Sequence, residues 1–214
     1  MAEFPAQTAA LSKPYTNSGH AAPLLFAPEK MNALVTEAAR RGLNAHIHAV
    51  GDLAVKASLD AFEAARKAVP ESTLPFSLTH ARFVDPQDIP RFGQLQVIAA
   101  MQLLWASPEA SDSVKPYIDP EIYRGMYPAR SILDAGGTIA GGSDWFVSSP
   151  NPFLAIGIAE TRTTGQGGVL DATQRVPREA MLYAYTRNAA RIESTRRDRL
   201  ARARQARRHD IGRP

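Results

Sequence analysis

The sequence predicts an α/β fold in which four βα units form half of a (β/α)8 barrel, a partial TIM barrel. Three observations point there. Short apolar runs of strand length alternate with longer segments of helical periodicity, the pattern of a parallel sheet covered by helices. Three stretches carry metal-ligating residue types at or just beyond a strand end: Asn44-Ala-His-Ile-His-Ala-Val-Gly-Asp52, Phe76-Ser-Leu-Thr-His80 and Thr138-Ile-Ala-Gly-Gly-Ser-Asp144. The separations, 32 residues from His48 to His80 and 64 from His80 to Asp144, suit one or two repeats of a strand-plus-helix unit of roughly 30 residues.

The elements follow in order. Residues 1–28, rich in proline, alanine and small polar residues, read as a loop segment. Pro28 sits near a helix start, Met31, Leu34, Val35 and Ala38 recur at helical spacing, and Gly42 is the stop. A strand is expected from Leu43 to His48, then a helix from Leu53 to Ala68 with Val55, Leu59 and Phe62 on one face. Pro70 and Pro75 bracket the turn into the strand Phe76–His80. Asp85-Pro-Gln-Asp-Ile-Pro reads as a helix start, and Gln96–Gln102 as the third strand. Leu103–Tyr127 is longer than a tight connection needs, and long loops in compact domains tend to be functional or disordered. A short helix from Tyr127 to Ala135 ends at Gly136-Gly137, and the fourth strand runs from Thr138 to Asp144. Pro152–Thr161 and Pro177–Ala190 are helical in pattern.

The chain has 214 residues, 44% of them hydrophobic, enough for one domain with a core. There is no cysteine, which excludes disulfides, thiolate metal sites and cysteine nucleophiles. No apolar run approaches the roughly 20 residues that span a bilayer, and the N-terminus lacks a signal-peptide pattern, so a cytoplasmic protein is expected. The net charge of +4 comes from one end. Residues 191–214 hold nine arginines against Glu193, Asp198 and Asp210, a net +6, which leaves about −2 for the rest. Blocks of like charge are usually solvated tails, so 194–214 is expected to be a disordered appendage and no nucleic-acid partner is expected.

Neutral imidazoles and a carboxylate suit Zn²⁺ and similar divalent ions. An open metal position turns bound water into hydroxide near neutral pH, and an aspartate beside it can take the proton and deliver it to a leaving amine. His48, His80 and Asp144 are therefore the candidate ligands. His46 shares a strand face with His48 and is either a partner behind the ligands or packed core. Asp52 is expected to cap the helix that begins beside it, or to support the ligands from behind. His20 and His209 carry no predicted role.

Residues His48-Ala-Val-Gly-Asp52 with the following helix, Leu78-Thr-His-Ala-Arg-Phe-Val-Asp-Pro-Gln-Asp-Ile89, Ala100-Met-Gln102 and Gly142-Ser-Asp-Trp145 with Pro150-Asn-Pro152 and Glu160-Thr-Arg162 occur in that order. Together they resemble the fifth to eighth strand motifs of the YtcJ-like (amidohydrolase 3) branch of the amidohydrolase superfamily, over about Thr8 to Glu193. The resemblance implies a metal-dependent hydrolase of amide-type C–N bonds in small molecules. His48 and His80 would be the fifth- and sixth-strand metal ligands, with zinc the expected metal, and Asp144 the eighth-strand ligand and general acid/base. Arg130 matches a recurrent family arginine. Arg130, Trp105 and Trp145 are the candidate substrate contacts, although large aromatics also serve as core.

The resemblance also has gaps. The family's first-strand His-x-His pair and fourth-strand bridging ligand have no counterpart, and Thr8–Tyr15 resembles the segment after the fourth strand. The sequence therefore predicts the second half of a barrel, with weak metal binding, no turnover alone, and open edges and an uncovered apolar interior that favour self-association or a missing N-terminal half. Where the family continues with a segment like Ile-Gly-Ser-Leu-Ala-Pro-Gly-Lys-Arg-Ala-Asp, a GC-rich coding choice read from its third base spells Arg199 to His209. The basic tail is accordingly expected to be an out-of-frame translation. Two competing readings are a non-enzymatic binder of nucleic acid or acidic partners through that tail, and a catalytically dead remnant of the family.

Overall fold

The computed structural model describes residues 4–193; the expectations for the tail at 194–214, including His209, lie outside the described residues. Four parallel strands, β1 (His46–Ala49), β2 (Phe76–His80), β3 (Val97–Met101) and β4 (Thr138–Gly141), form one open sheet in sequence order. The register aligns His48 with Thr79, Thr79 with Ala100, and Ala100 with Ala140. Helices connect them: α1 (Pro28–Arg40) precedes β1, α2 (Asp52–Ala68) follows it, and α3 (Ile89–Gln94) lies between β2 and β3. Between β3 and β4 come α4 (Pro108–Ser111), α5 (Pro120–Arg124) and α6 (Ala129–Asp134), and after β4 come α7 (Pro152–Thr161), α8 (Arg178–Tyr183) and α9 (Ala189–Glu193). A π-helical turn, Ala184–Asn188, joins α8 to α9.

Strand alternation divides the core in two. One face of the sheet carries Phe76, Leu78, Val97, Ala99, Met101 and Ile139, all buried beneath the helices. Phe76 stacks on Phe62 of α2 with ring centroids 4.9 Å apart. The opposite face buries a separate cluster, Ile98, Ala100 and Ala140, against Ala189 and Ile192 of α9. At β3 and β4 the apolar interior expected to lie open is therefore covered, because the C-terminal helix folds back over it, while His46 and His48 of β1 on the same face stay exposed. Burying one isoleucine stabilises a fold by about 1.5–3 kcal/mol, a sufficient reason for the helix to stay there.

Two strand boundaries, the exposure of one helical residue and the long connection differ from the sequence reading, each for a local reason. β1 begins at His46, not Leu43, because Leu43 N–H donates to Ala38 O (2.9 Å) and Gly42 N–H to Ala39 O (3.0 Å). These two bonds are a Schellman stop for α1, with Gly42 left-handed at φ 74. Leu34, which shares the helical spacing of Met31, Val35 and Ala38, is 50% exposed, since α1 packs chiefly on α2. β4 ends at Gly141, so Asp144 sits three residues beyond it in a loop. The 103–127 stretch is not irregular: α4, α5 and two short 3-10 turns fold it back, and Tyr127 N–H donates to Arg82 O at 2.8 Å just past β2. Gly51, at the start of α2, is required by a close approach, since a Cβ there would lie 2.0 Å from the Ala10 carbonyl oxygen.

Candidate active site

A cavity of about 530 Å³ opens beyond the C-terminal ends of β1 and β2 and is bordered by the loop after β4, the end of a parallel sheet where loops build ligand sites. His48, His80 and Asp144 all line it. His48 comes from β1. His80 ends β2 in a left-handed conformation (φ 72), and Asp144 is left-handed as well (φ 53). Such backbone is uncommon for non-glycine residues and persists only where the surroundings hold it. The imidazoles of His48 and His80 meet edge to face with centroids 4.5 Å apart. Trp105 lies parallel to the His80 ring at 6.0 Å and also lines the cavity.

Burial, and then the neighbouring His48, push the His80 pKa down to about 4. At neutral pH its ring is therefore uncharged and keeps a lone pair for a proton or a cation. Two imidazoles this close together fit half of a divalent-metal donor set. The fit stops there: among the described residues, no three histidine, aspartate or glutamate side chains stand close enough together to hold a metal ion. Asp144 borders the same cavity without closing on the pair.

The remaining sequence candidates separate. His46 shares the sheet face of His48 one layer below, and its Nδ1 lies 2.6 Å from Ser77 Oγ. Burial holds its pKa below the usual histidine range, and it is not among the residues lining the cavity. Asp52 is buried at the first position of α2 but does not cap it. Its carboxylate instead accepts the Ser12 N–H (2.9 Å) and the Ser12 hydroxyl, fastening the N-terminal segment to the helix start. Arg130 lies on α6, partly exposed, with Nε donating to Asp134 in the same helix at 2.8 Å; the fold does not bring it to the cavity. Trp145 is 69% exposed against Phe146 and also stays outside.

Two residues with no role in the sequence reading reach the cavity. Arg82, two positions past His80, lies against the rings of Phe4, Phe83 and Tyr127. Tyr127 is fully buried. Arg82 falls inside the Leu78–Ile89 motif, which was a usable signal; nothing at Tyr127 distinguished it from the start of a helix.

A family model described as Amidohydrolase family matches residues 3–200. The chain is 26% identical over 173 residues to the N-substituted formamide deformylase of Arthrobacter pascens, covering 80% of this chain and 31% of the relative. It is 24% identical over 194 residues to the putative amidohydrolase YtcJ of Bacillus subtilis strain 168, covering 87% and 35%. Among solved structures, an uncharacterized metal-dependent hydrolase from Pyrococcus horikoshii OT3 superimposes with a TM-score of 0.73 at 25% identity, over 89% of this chain and 38% of that one. The chain spans between 23% and 35% of the length of the curated relatives it matches. Its four-stranded parallel sheet is thus an arc of a (β/α)8 barrel, and the chain belongs to the Amidohydrolase family, in its YtcJ-like branch.

Proposed function

We propose that this chain supplies the fifth- to eighth-strand side of a metal-dependent hydrolase site that cleaves an amide-type C–N bond in a small molecule. The observation that carries this reading is the edge-to-face pair of His48 and His80, 4.5 Å apart in a cavity, with His80 neutral because it is buried. His48 and His80 would hold a divalent ion, with zinc the first choice for an imidazole pair. Such an ion, when bound, polarises a carbonyl and lowers the pKa of water. The parallel Trp105 ring restrains the His80 imidazole. Asp144, at the same cavity, would accept a proton from the attacking water and return it to the leaving nitrogen. A formamide deformylase among the relatives supports a C–N bond as the target. Residues outside the two imidazoles must complete the donor set, so the affinity of this chain alone is expected to be low.

The test is a zinc titration of the full chain followed by calorimetry, repeated with His48→Ala and His80→Ala. One ion per chain is expected, weakened at least about tenfold by either substitution, since even loss of a partner behind a ligand costs about 10–100-fold. Undiminished uptake in both variants would place the ion elsewhere and remove the basis of the reading.

A further inference from the structure

The wall of the cavity beside the two imidazoles holds donors that nothing among the described residues satisfies. Nε and Nη2 of Arg82 are buried without a hydrogen-bond acceptor, and so is the hydroxyl of the fully buried Tyr127. Both residues line the cavity. The guanidinium carbon of Arg82 is 5.2 Å from the Phe4 ring centre and 5.6 Å from that of Tyr127. These rings hold the cation in place and offset part of its lost hydration, but ring faces do not replace acceptors for its N–H groups. Among the described residues Arg82 makes no ion pair. Buried polar groups in folded proteins are nearly always partnered, and these unpartnered donors belong to residues of the cavity wall, so a small shift of that wall would offer them to a ligand.

We propose that Arg82 and Tyr127 form a carboxylate subsite, so that the substrate is an apolar amide carrying one carboxylate group. This deepens the hydrolase reading and rests on it, since it assigns the end of the substrate away from the scissile bond. Arg82 is the one arginine or lysine among the described residues that line the cavity, and Asp144, the one carboxylate there, makes no ion pair with it, so the site has room for a single carboxylate at Arg82 and not for two. A planar guanidinium presents parallel N–H groups that match the two oxygens of a carboxylate, and the tyrosine hydroxyl supplies a further donor. The remaining wall, with Phe4, Val50, Trp105 and Val114, suits an apolar body. Binding energy from this anchor would orient the amide relative to His48, His80 and Asp144 without taking part in bond cleavage.

The test compares N-acetylleucine with N-acetylleucinamide, which differ only in carboxylate against neutral carboxamide, in ligand-observed NMR titrations of the full chain stripped of metal with EDTA. The acid is expected to bind about tenfold more tightly than the amide, as befits a charge-assisted contact. Arg82→Gln should abolish that preference, Tyr127→Phe should reduce it about threefold, and Arg82→Lys should keep part of it. Equal binding of acid and amide by the unsubstituted chain overturns the proposal, as does no detectable binding of the acid. A preference that survives Arg82→Gln overturns it as well. Circular dichroism checks that each variant folds, and the comparison in the unsubstituted chain decides even if none does. Zinc titrations of the same proteins separate the two readings: loss of the acid preference with zinc binding intact removes only the subsite, and the converse removes only the metal pair.

Discussion

Asn188 donates through Nδ2 to the carbonyl oxygen of Ile139 at 2.9 Å, tying the C-terminal helical segment to the terminal strand of the sheet. The same segment places the Tyr185 ring against Gly141, where a Cβ would lie 2.4 Å from a ring carbon. Asn44 Nδ2 fastens its far end by donating to the Ile192 carbonyl at 2.9 Å. The apolar patch of Ile98, Ala100 and Ala140 is thus covered from within, while the sheet remains open at its β1 and β4 edges.

Removing the tie should have a defined cost. Asn188→Ala leaves the Ile139 carbonyl unsatisfied and is expected to destabilise the chain by about 1–2 kcal/mol, read as a lower urea midpoint with unchanged slope. Ile192→Asp should do more, because it uncovers Ile98, Ala100 and Ala140. Light scattering is expected to show self-association of that variant at concentrations where the parent is less associated. An Ile192→Asp protein with unchanged stability and mass would mean that the helix does not cover the face in solution.

Arg162 is the largest fully buried side chain, and it has no carboxylate partner within ion-pair distance among the described residues. Its guanidinium donates to three carbonyl oxygens: Leu170 (2.8 Å), Tyr127 (3.3 Å) and Met126 (3.4 Å). Burial pushes its pKa down to about 10, still charged at neutral pH. By holding the backbone of Tyr127, it braces the cavity wall from behind. Arg162→Lys keeps the charge and loses the planar fork, so a cost of about 2–4 kcal/mol is expected in denaturant titrations. A loss below about 0.5 kcal/mol, the usual effect of a surface change, would contradict this role.

The pH dependence follows from Arg91, which joins α3 to α2. Its Nη2 donates to Asp60 (2.7 Å) and Glu63 (3.0 Å), and its Nη1 to Asp88 (2.8 Å). Burial raises the Asp60 pKa, but hydrogen bonds from Lys56 and Arg91 outweigh it and hold the carboxyl below its usual value. Glu63 is held low by Lys67 first, with Arg91 adding to it. Carboxyls depressed in the folded state stabilise it above the ordinary carboxylate range near pH 4, and that contribution disappears as pH falls through the folded values. Both acids are more than a third exposed, so solvent screening limits the pairs. Arg91→Met is therefore expected to cost about 1–2 kcal/mol at pH 7 and clearly less at pH 3. Urea melts at the two pH values check this, and a gap that widens in acid would contradict it.

Much of the fold was legible because its signals are local. The five-residue run Phe76–His80 after Pro75 is too short for a helix and reads as a buried strand, and the βα alternation implied the parallel sheet. The convergence of His48 and His80 followed from equal placement at strand ends. What sequence could not show was tertiary in origin. The helical pattern of Pro177–Ala190 says nothing of which sheet face it will cover, so the filled interior was unreadable. Asp52 precedes a helix like a cap, yet its carboxylate serves Ser12, 40 positions away. Arg130 and Trp145 stand in recognisable motifs, but motif membership does not decide which way a side chain points. Arg82 is the converse, a motif residue whose unpartnered donors appear only once Phe4 and Tyr127 are folded around it.

The most direct measurement of the central claim is the electronic absorption spectrum of the chain titrated with Co²⁺ in place of zinc. Ligation by His48 and His80 should produce visible bands, distinct from those of the aqueous ion, that weaken in His48→Ala and in His80→Ala and vanish in the double variant. A spectrum of aqueous cobalt at saturating protein, or bands that persist in the double variant, would contradict the account.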